Sequence, residues 1–261
     1  MKDSCFKTLS ASELLEMTND PKFCRLVLQE HAKVMETPLR GTTVQSSKKE
    51  NSKKNRFSII PCWDHSLVLI WEQQSQVIVS LTDIDRDHEK SYHLWTLSNG
   101  SEATFGSFVV KILDVREELS FTKTRVKITN KITDTSREIT NFWFTDWPDN
   151  SIPTGMEEFL ELRNKVNQEQ SRLMKQAEDD SRTPGPIVVH CSTGTGWTGT
   201  FCAIDNALEQ LDKEKEVSVA DVVLKIRSQR HSSVFLPEQY AFCYLVLRYV
   251  ILEEAKNNLL S

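Results

Sequence analysis

A cysteine in a glycine-rich turn is the residue of this chain best suited to covalent chemistry. Cys191 follows a short apolar run, Pro186–Val189, which predicts a buried strand, and it precedes Thr198–Leu211, which predicts a helix. A turn between a strand and a helix N-terminus directs backbone N–H groups at an anion. The same partial positive charges favour the thiolate form of a cysteine. The pattern therefore indicates a nucleophile beside an anion site, although a cysteine taken alone is more often an inert buried thiol.

The segment around this cysteine resembles the active-site loop, His-Cys-x5-Arg, of the tyrosine-specific protein phosphatases. Its residues are, in order, His190, Cys191, Ser192, Thr193, Gly194, Thr195, Gly196, Trp197 and Thr198. Other segments are similar to motifs of the same family and occur in the family's order: Lys54–Phe57, Pro61–Ser66, Trp71–Gln73, Trp147–Asp149 and Pro237–Tyr240. Because ordered matches are far more specific than one loop, the chain is identified as a member of this family from about Asn55 to Tyr249. Within the family it is most similar to the phosphatase-like proteins of the polydnaviruses (bracoviruses) of parasitoid wasps.

The resemblance assigns catalytic or binding roles to single residues. It implies that Cys191 attacks phosphorus to form a phosphocysteine and that Asp149 protonates the tyrosyl leaving group. It also implies that the Thr198 hydroxyl hydrogen-bonds the departing sulfur, that Gln239 orients substrate and hydrolytic water, and that Phe57 stacks on phosphotyrosine. Taken without the resemblance, Asp149 is equally well interpreted as a turn residue and Thr198 as a helix cap.

Three residues depart from the family's pattern at functional positions. Trp197 stands where the loop carries an arginine, Phe235 where a glutamine positions water, and Ile59 where an acidic residue grips the peptide backbone. An arginine that stabilises a phosphoryl transition state contributes about 10³–10⁵ in rate, so its loss predicts impaired catalysis. Two alternatives stay open: another cation substitutes for the arginine, and Phe235 serves only packing.

A segment of the family's core is missing from the chain. Ser66–Ile70 leads almost directly into Trp71, whereas the family carries two strands and a helix between these positions. We therefore expect part of the sheet to be deleted, which leaves an edge that is prone to aggregation unless another segment covers it. Leu67, Ser91 and Leu94 also replace family residues, while the hydrophobic pattern is intact. This combination indicates a scaffold that is retained after catalysis was relaxed.

The hydrophobic pattern predicts alternating strands and helices around one core. Strands are predicted at Val77–Leu81, Phe108–Val115, Thr124–Thr129 and Ile139–Phe144. Helices are predicted at Ser10–Met17, Asp20–Val34 and Gly155–Gln176. Two more helices are predicted, one that begins after a capping box at Ser218 and one from Pro237 to about Lys256. The helix at Gly155–Gln176 is expected to bury Met156, Phe159, Leu160, Val166, Leu173 and Met174, and a loop is expected at Glu178–Pro186. The fold class is therefore α/β, a single phosphatase-like domain with a highly twisted mixed sheet flanked by helices. Its parts are N-terminal helices in 1–40, a polar, basic loop in 41–56 and the core in 57–256.

Composition narrows the classes of function. The formal charge of −5 disfavours nucleic-acid binding, so the basic residues of 41–56 are interpreted as a solvated loop in preference to a nuclear or nucleic-acid patch. Six cysteines without metal-ligand spacing, in a chain that starts without a secretory leader, predict reduced thiols in a cytosol. The longest apolar stretch, Ala241–Leu252, is too short for membrane insertion. His88 and His93 lack a third ligand, so neither a metal site nor a cofactor is predicted.

Three functional hypotheses follow, and the departures favour the first. It is a catalytically impaired phosphatase-like protein, a pseudophosphatase, in the host cell cytoplasm. It binds a phosphotyrosine protein or another host signalling protein and so interferes with tyrosine-phosphate signalling or immune-cell function. The second is a slow but genuine protein tyrosine phosphatase that uses Cys191 and Asp149. The third is a decaying copy without a stable fold, which the missing segment motivates.

Overall fold

The computed structural model describes residues 6–39, 71–81, 98–144, 147, 152–153, 155–180, 183–191 and 193–260. Contacts divide the chain into two compact units. The sheet unit comprises Val68–Asp149 and Pro153–Ser192, and the helical unit comprises Met1–Leu67, Asn150–Ile152 and Thr193–Ser261. Phe57, Ile59, Asp149, Ser192 and the position of the missing segment lie outside the described residues. The expectations for them, and for a single domain over the whole chain, stay predictions.

The described residues form short strands and longer helices. The strands are β1 Leu9–Ser10, β2 Val77–Ser80, β3 Glu102–Phe105, β4 Phe108–Glu117, β5 Thr122–Asn130, β6 Thr135–Trp143, β7 Val188–His190 and β8 Glu216–Val217. The helices are α1 Ala11–Asn19, α2 Phe23–Glu36, α3 Met156–Asp180, α4 Gly196–Glu214, α5 Val219–Gln229 and α6 Pro237–Leu260. The predicted mixed α/β fold is confirmed. The sequence analysis missed β1, β3 and β8, and it placed the strand before Cys191 two residues too early at its start.

The sheet unit is built on a six-stranded mixed sheet in the order β3-β4-β5-β6-β2-β7. Strands β3 to β6 form an antiparallel meander, whereas β2 runs parallel to both of its neighbours, β6 and β7. Successive side chains of a strand point to opposite faces. One face accordingly buries an apolar cluster of Ile78, Val110, Ile112, Val126 and Ile139.

A carboxylate ties helix α3 to the sheet. Glu169 accepts hydrogen bonds from Thr140 Oγ1 and from Lys123 Nζ, both at 3.2 Å, and from Arg172 Nη2 at 2.7 Å. Burial raises the pKa of Glu169, but the hydrogen bonds from Arg172 and Lys123 outweigh it and hold the pKa at about 2. The group is therefore ionised, and it is compensated at neutral pH by two cations and a hydroxyl.

The buried face of α3 differs from the predicted one. Its fully buried apolar residues are Phe159, Leu162 and Val166. Together with Glu169 they recur every three or four residues, a spacing that Leu173 continues and Met174 does not. The expectation that Met174 is buried is wrong, because this residue lies one position off the stripe and is 42% exposed. Helix α3 also runs to Asp180, so the loop predicted from Glu178 begins later.

Side-chain hydrogen bonds organise the helical unit. Helix α1 begins with a capping box in which Ser10 Oγ accepts from Glu13 N and Glu13 Oε2 accepts from Ser10 N. Helix α2 packs on α6, where the hydroxyls of Tyr240 and Tyr244 donate to Glu30 Oε1 at 2.6 and 2.5 Å. These two hydrogen bonds fix the N-terminal part of α6, the helix that carries Gln239, against α2.

Candidate active site

The carboxyl end of strand β7 leads into Cys191. Leu81 N donates to His190 O at 2.9 Å, which fixes the last residue of β7 against the end of β2. Strands β6, β2 and β7 are parallel, so their carboxyl ends meet at one sheet edge, the usual place for ligands in such sheets. From the same edge the chain leaves β6 toward Trp147, which is buried and meets Phe159 edge-on with ring centroids 5.8 Å apart. The chains that lead to Cys191 and to Trp147 therefore leave the sheet at one edge.

Buried polar side chains fix the imidazole of His190. Ser80 Oγ lies 2.7 Å from His190 Nε2 and donates to Asn141 Oδ1, also at 2.7 Å. Ser80 and Asn141 are fully buried. Burial lowers the pKa of His190, so its ring is neutral at pH 7. Cys191 itself is half-buried and is not part of a disulfide.

The second half of the loop enters helix α4 earlier than predicted. Gly194 has a φ of +69°, a left-handed conformation that glycine adopts without strain. Helix α4 begins at Gly196, and the N-terminus of a helix is a favourable place for an anion. The interpretation of Thr198 as a helix cap is wrong, because Thr195 holds the cap position. Thr198 Oγ1 is buried without a hydrogen-bond partner among the described residues, which leaves it available for the role that the resemblance implies.

Arg230, which the sequence analysis missed, holds the loop through its carbonyl groups. Its Nη2 donates to Thr193 O at 3.0 Å and its Nε donates to Gly194 O at 3.3 Å. Two carbonyl oxygens thus engage this guanidinium, so it positions the loop backbone. The alternative that another cation substitutes for the arginine stays a prediction. A cation at the C-terminus of a helix is common in any protein, and Arg230 is the C-cap of α5. The sequence therefore carried no specific signal for this role.

Gln239 and Phe235 lie against the first turn of α4, as the resemblance predicts for residues near the loop. A β-carbon on Gly196 would lie 2.8 Å from Gln239 Nε2 and 3.2 Å from Phe235 Cε1, so glycine is needed for this approach. Gln239 is buried, and its Oε1 has no hydrogen-bond partner within the described part of the chain. Phe235 is 40% exposed. The alternative that it is a packing residue is correct only in part, because it packs on the loop and not in the core.

A strained turn presents Phe235 to the loop. Val234 has a φ of +53°, which costs a β-branched residue about 1–2 kcal/mol unless its surroundings enforce it. Arg227 Nη1 donates to Ser233 O at 3.0 Å, and His31 Nε2 donates to Val234 O at 3.2 Å. Burial lowers the pKa of His31, so this ring is also neutral at pH 7. The turn is thereby held on both sides by side chains from α2 and α5.

Trp197 is a core residue of helix α4. The side chain is 8% exposed and shares the buried face of the helix with Phe201 and Ile204, which follow at helical spacing. An indole has one N–H donor and no charge, whereas a guanidinium offers five donors in a planar fork. Position 197 therefore contributes apolar packing where the resemblance expects a grip on phosphate.

The ranges described above contain neither a membrane-spanning helix nor a cluster of metal ligands. None of these helices is both long enough and apolar enough to cross a membrane. No three or more His, Cys, Asp or Glu side chains in these ranges lie together as metal ligands would.

The chain matches one protein family and a group of viral proteins. Residues 68–249 match the protein-tyrosine phosphatase family. The chain is 39% identical to Tyrosine phosphatase H3 of Microplitis demolitor bracovirus (isolate Webb) over 99% of each protein. It is 35% identical to Tyrosine phosphatase-like protein H1 of the same virus, over 95% of this chain and 87% of the relative. Human tyrosine-protein phosphatase non-receptor type 9 is 35% identical over 68% of this chain and 30% of its own length.

These matches bear on the extent of the resemblance. The family match begins at residue 68, so it is shorter than the expected range from Asn55 and leaves out the motifs at Lys54–Phe57 and Pro61–Ser66. The alignment with Tyrosine phosphatase H3 spans 320 positions, whereas this chain has 261 residues. At least 59 positions of that relative therefore have no counterpart here. The two strands and the helix that the sequence analysis found missing fit within this number of positions. Their location lies outside the described residues.

Proposed function

Because the chain belongs to the protein-tyrosine phosphatase family, we propose that it is a catalytically impaired member that acts by binding. The observation that carries the proposal is the buried Trp197 in the first turn of α4. Removal of one preorganised donor to a developing oxyanion costs about 10²–10³ in rate, and the loss of an arginine in phosphoryl transfer costs about 10³–10⁵. Phe235 adds a second defect, because a phenyl ring cannot orient the water that hydrolyses a phosphocysteine.

The proposed setting is the cytoplasm of a host cell. The most similar relatives named above are bracovirus proteins, and their printed names include both tyrosine phosphatase and tyrosine phosphatase-like. The proposed partner is a phosphotyrosine protein or another host signalling protein, bound without turnover. Such binding would interfere with tyrosine-phosphate signalling in immune cells.

A slow genuine phosphatase is the second candidate, and the loop backbone favours it. Gly194 keeps the left-handed turn, Arg230 orders the loop carbonyls, and Thr198 keeps a hydroxyl without a partner among the described residues. Backbone N–H groups bind an anion whatever side chain stands at position 197. On this reading Cys191 attacks phosphorus and Asp149 protonates the leaving group, with a rate limited by Trp197.

Aryl-phosphate hydrolysis distinguishes the two candidates. The unmodified protein, Cys191→Ser and Trp197→Arg are assayed together, after each has shown a cooperative thermal transition. We expect the unmodified protein to match the serine variant, and Trp197→Arg to exceed it by about 10² or more. Turnover of the unmodified protein that is lost in Cys191→Ser would establish the slow phosphatase instead. Absence of a cooperative transition in the unmodified protein would favour the decaying copy.

A second measurement tests binding apart from turnover. Calorimetry compares a phosphotyrosyl peptide with its unphosphorylated form, against the unmodified protein and Cys191→Ser. Binding that requires the phosphate would place recognition at the loop, whereas equal binding of both peptides would place it on another surface. A protein that binds neither peptide and retains no host protein above background would contradict the proposal.

A further inference from the structure

Two strands of the sheet unit place a hydroxyl and an amide beside the residue that precedes the nucleophile. Ser80 lies opposite His190 in the parallel β2–β7 ladder, and Asn141 lies on β6, on the other side of β2. Ser80 Oγ is 2.7 Å from His190 Nε2 and 2.7 Å from Asn141 Oδ1. We infer that Ser80 is a positioning residue that holds His190 as the neutral tautomer protonated at Nε2, with Asn141 fixing the direction of the Ser80 hydroxyl.

Counting protons leads to this assignment. A serine hydroxyl carries one proton, and Ser80 donates it to Asn141 Oδ1. The contact between Ser80 Oγ and His190 Nε2 then needs a donor on the imidazole, so Nε2 carries the proton and Nδ1 keeps its lone pair. A doubly protonated ring would also donate from Nε2, but burial lowers the pKa of His190 and disfavours that form. The neutral Nε2–H ring is the state that satisfies both contacts.

The burial of Ser80 and Asn141 is not well explained by the stability of the fold alone. Ser80 and Asn141 are both fully buried; β2 otherwise carries valine and isoleucine, and Asn141 is followed on β6 by the buried Phe142. A buried hydroxyl or amide is unfavourable unless it is hydrogen-bonded, and Asn141 Nδ2 still has no partner among the described residues. Apolar residues at both positions would avoid this cost. The pair is therefore better explained by what it does to His190.

The position and protonation of His190 affect the loop that begins at Cys191. Leu81 N fixes the main chain of His190, and Ser80 fixes its ring, so both parts of the residue before Cys191 are set by β2. A neutral ring with a lone pair on Nδ1 adds no positive charge to this segment. Attraction for an anion then comes from backbone N–H groups rather than from an imidazolium. The inference concerns the same loop as the proposed function, and it rests on the family loop but not on whether the protein turns over substrate.

Nitrogen-detected NMR of the imidazole rings tests the assignment directly. In the unmodified protein at pH 7 we expect His190 to show a protonated Nε2, an unprotonated Nδ1 and a slowly exchanging Nε2–H proton. His190→Gln assigns the signals. Ser80→Ala should lose the slowly exchanging proton because the acceptor is gone, and Ser80→Thr should keep it. Asn141→Ala should move the ring toward the Nδ1–H form, since the Ser80 hydroxyl becomes free to donate to Nε2.

A matched control separates this role from the loss of any buried hydroxyl. Ser75 is equally buried in the same unit, and its Oγ has no hydrogen-bond partner in the described ranges, so Ser75→Ala should leave the His190 signals unchanged. A ring protonated at Nδ1 in the unmodified protein would overturn the inference without any variant. An unchanged His190 spectrum in Ser80→Ala would overturn it as well. Hydrolysis assays report turnover and not ring protonation, so failure here and failure of the proposed function are distinguishable.

Discussion

The two ends of the loop that contains Cys191, the strand end before Cys191 and the helix start at Trp197, are built from different kinds of side chain. At the strand end, polar side chains of the sheet hold His190 through Ser80 and Asn141. At the helix start, Arg230 holds the carbonyl groups, but apolar side chains, Trp197 and Phe235, stand at the positions to which the resemblance assigns the recognition of phosphate and water. The contacts that shape the loop are thus different from the contacts that would recognise a substrate. A loop built in this way keeps its backbone when its recognition side chains change.

The largest expected effect follows from the removal of the indole. Trp197→Ala deletes a buried aromatic side chain from the core face of α4, which costs about 3–5 kcal/mol in the free energy of unfolding. Phe235→Ala is the matched control because that ring is 40% exposed, and about 1 kcal/mol is expected. Urea unfolding of the two variants measures both values. Equal costs would show that the helix start is not built around Trp197 and would weaken the contrast with the strand end.

A smaller effect is expected from Arg230→Met, which keeps the aliphatic stem and removes the guanidinium. Two hydrogen bonds to Thr193 O and Gly194 O are lost, at about 1.5–3 kcal/mol for a bond from a charged group before its partial exposure is considered. We expect a loss of about 2 kcal/mol together with faster hydrogen exchange of the amides of Gly196–Thr198. Lys225→Met, at an exposed position on the same helix, should change neither. Unchanged exchange in Arg230→Met would mean that the loop backbone is held by other contacts.

Local patterns allowed much of the fold to be predicted. The helix predicted from Ser10 is α1, and the alternation of apolar with polar residues predicted β4 to β6. Strand β3 was missed because only two of its four residues, Ala103 and Phe105, are apolar, whereas three of the four residues of β2, which was predicted, are valine or isoleucine. A turn signal was present, since Gly106 has a φ of +58° in the two-residue connection to β4. Met174 was misplaced because Leu173 and Met174 are equally apolar, and only packing decides which of the two continues the stripe.

The residues of the candidate site also fall into those that the sequence analysis found and those that it missed. Gln239 and Phe235, which the resemblance assigned to the site, lie against Gly196 of the loop. Ser80 and Arg230 were not found, since each acts through a hydrogen bond to a residue far away in the chain and has no distinctive neighbours. A serine that ends an apolar strand and an arginine that ends a helix are ordinary residues until the fold places them.

The smallest expected effect compares the two neutral histidines, His190 in the sheet unit and His31 in the helical unit. Burial lowers the pKa of both below the ordinary value of 6.5, so the unfolded chain takes up protons that the folded protein excludes as the pH falls. The free energy of unfolding should therefore be constant above about pH 6.5 and decrease below it, by at most about 1.4 kcal/mol per pH unit for each residue. His190→Gln and His31→Gln should each flatten this slope when urea unfolding is followed from pH 7.5 to 5. His231, whose pKa burial also lowers, leaves a residual slope in both variants. The contrary outcome is that His190→Gln has the same pH dependence of the free energy of unfolding as the unmodified protein, while His31→Gln does not. The ring of His190 would then take up its proton as readily in the folded protein as in the unfolded chain. The two halves of the loop would in that case not differ in their electrostatics.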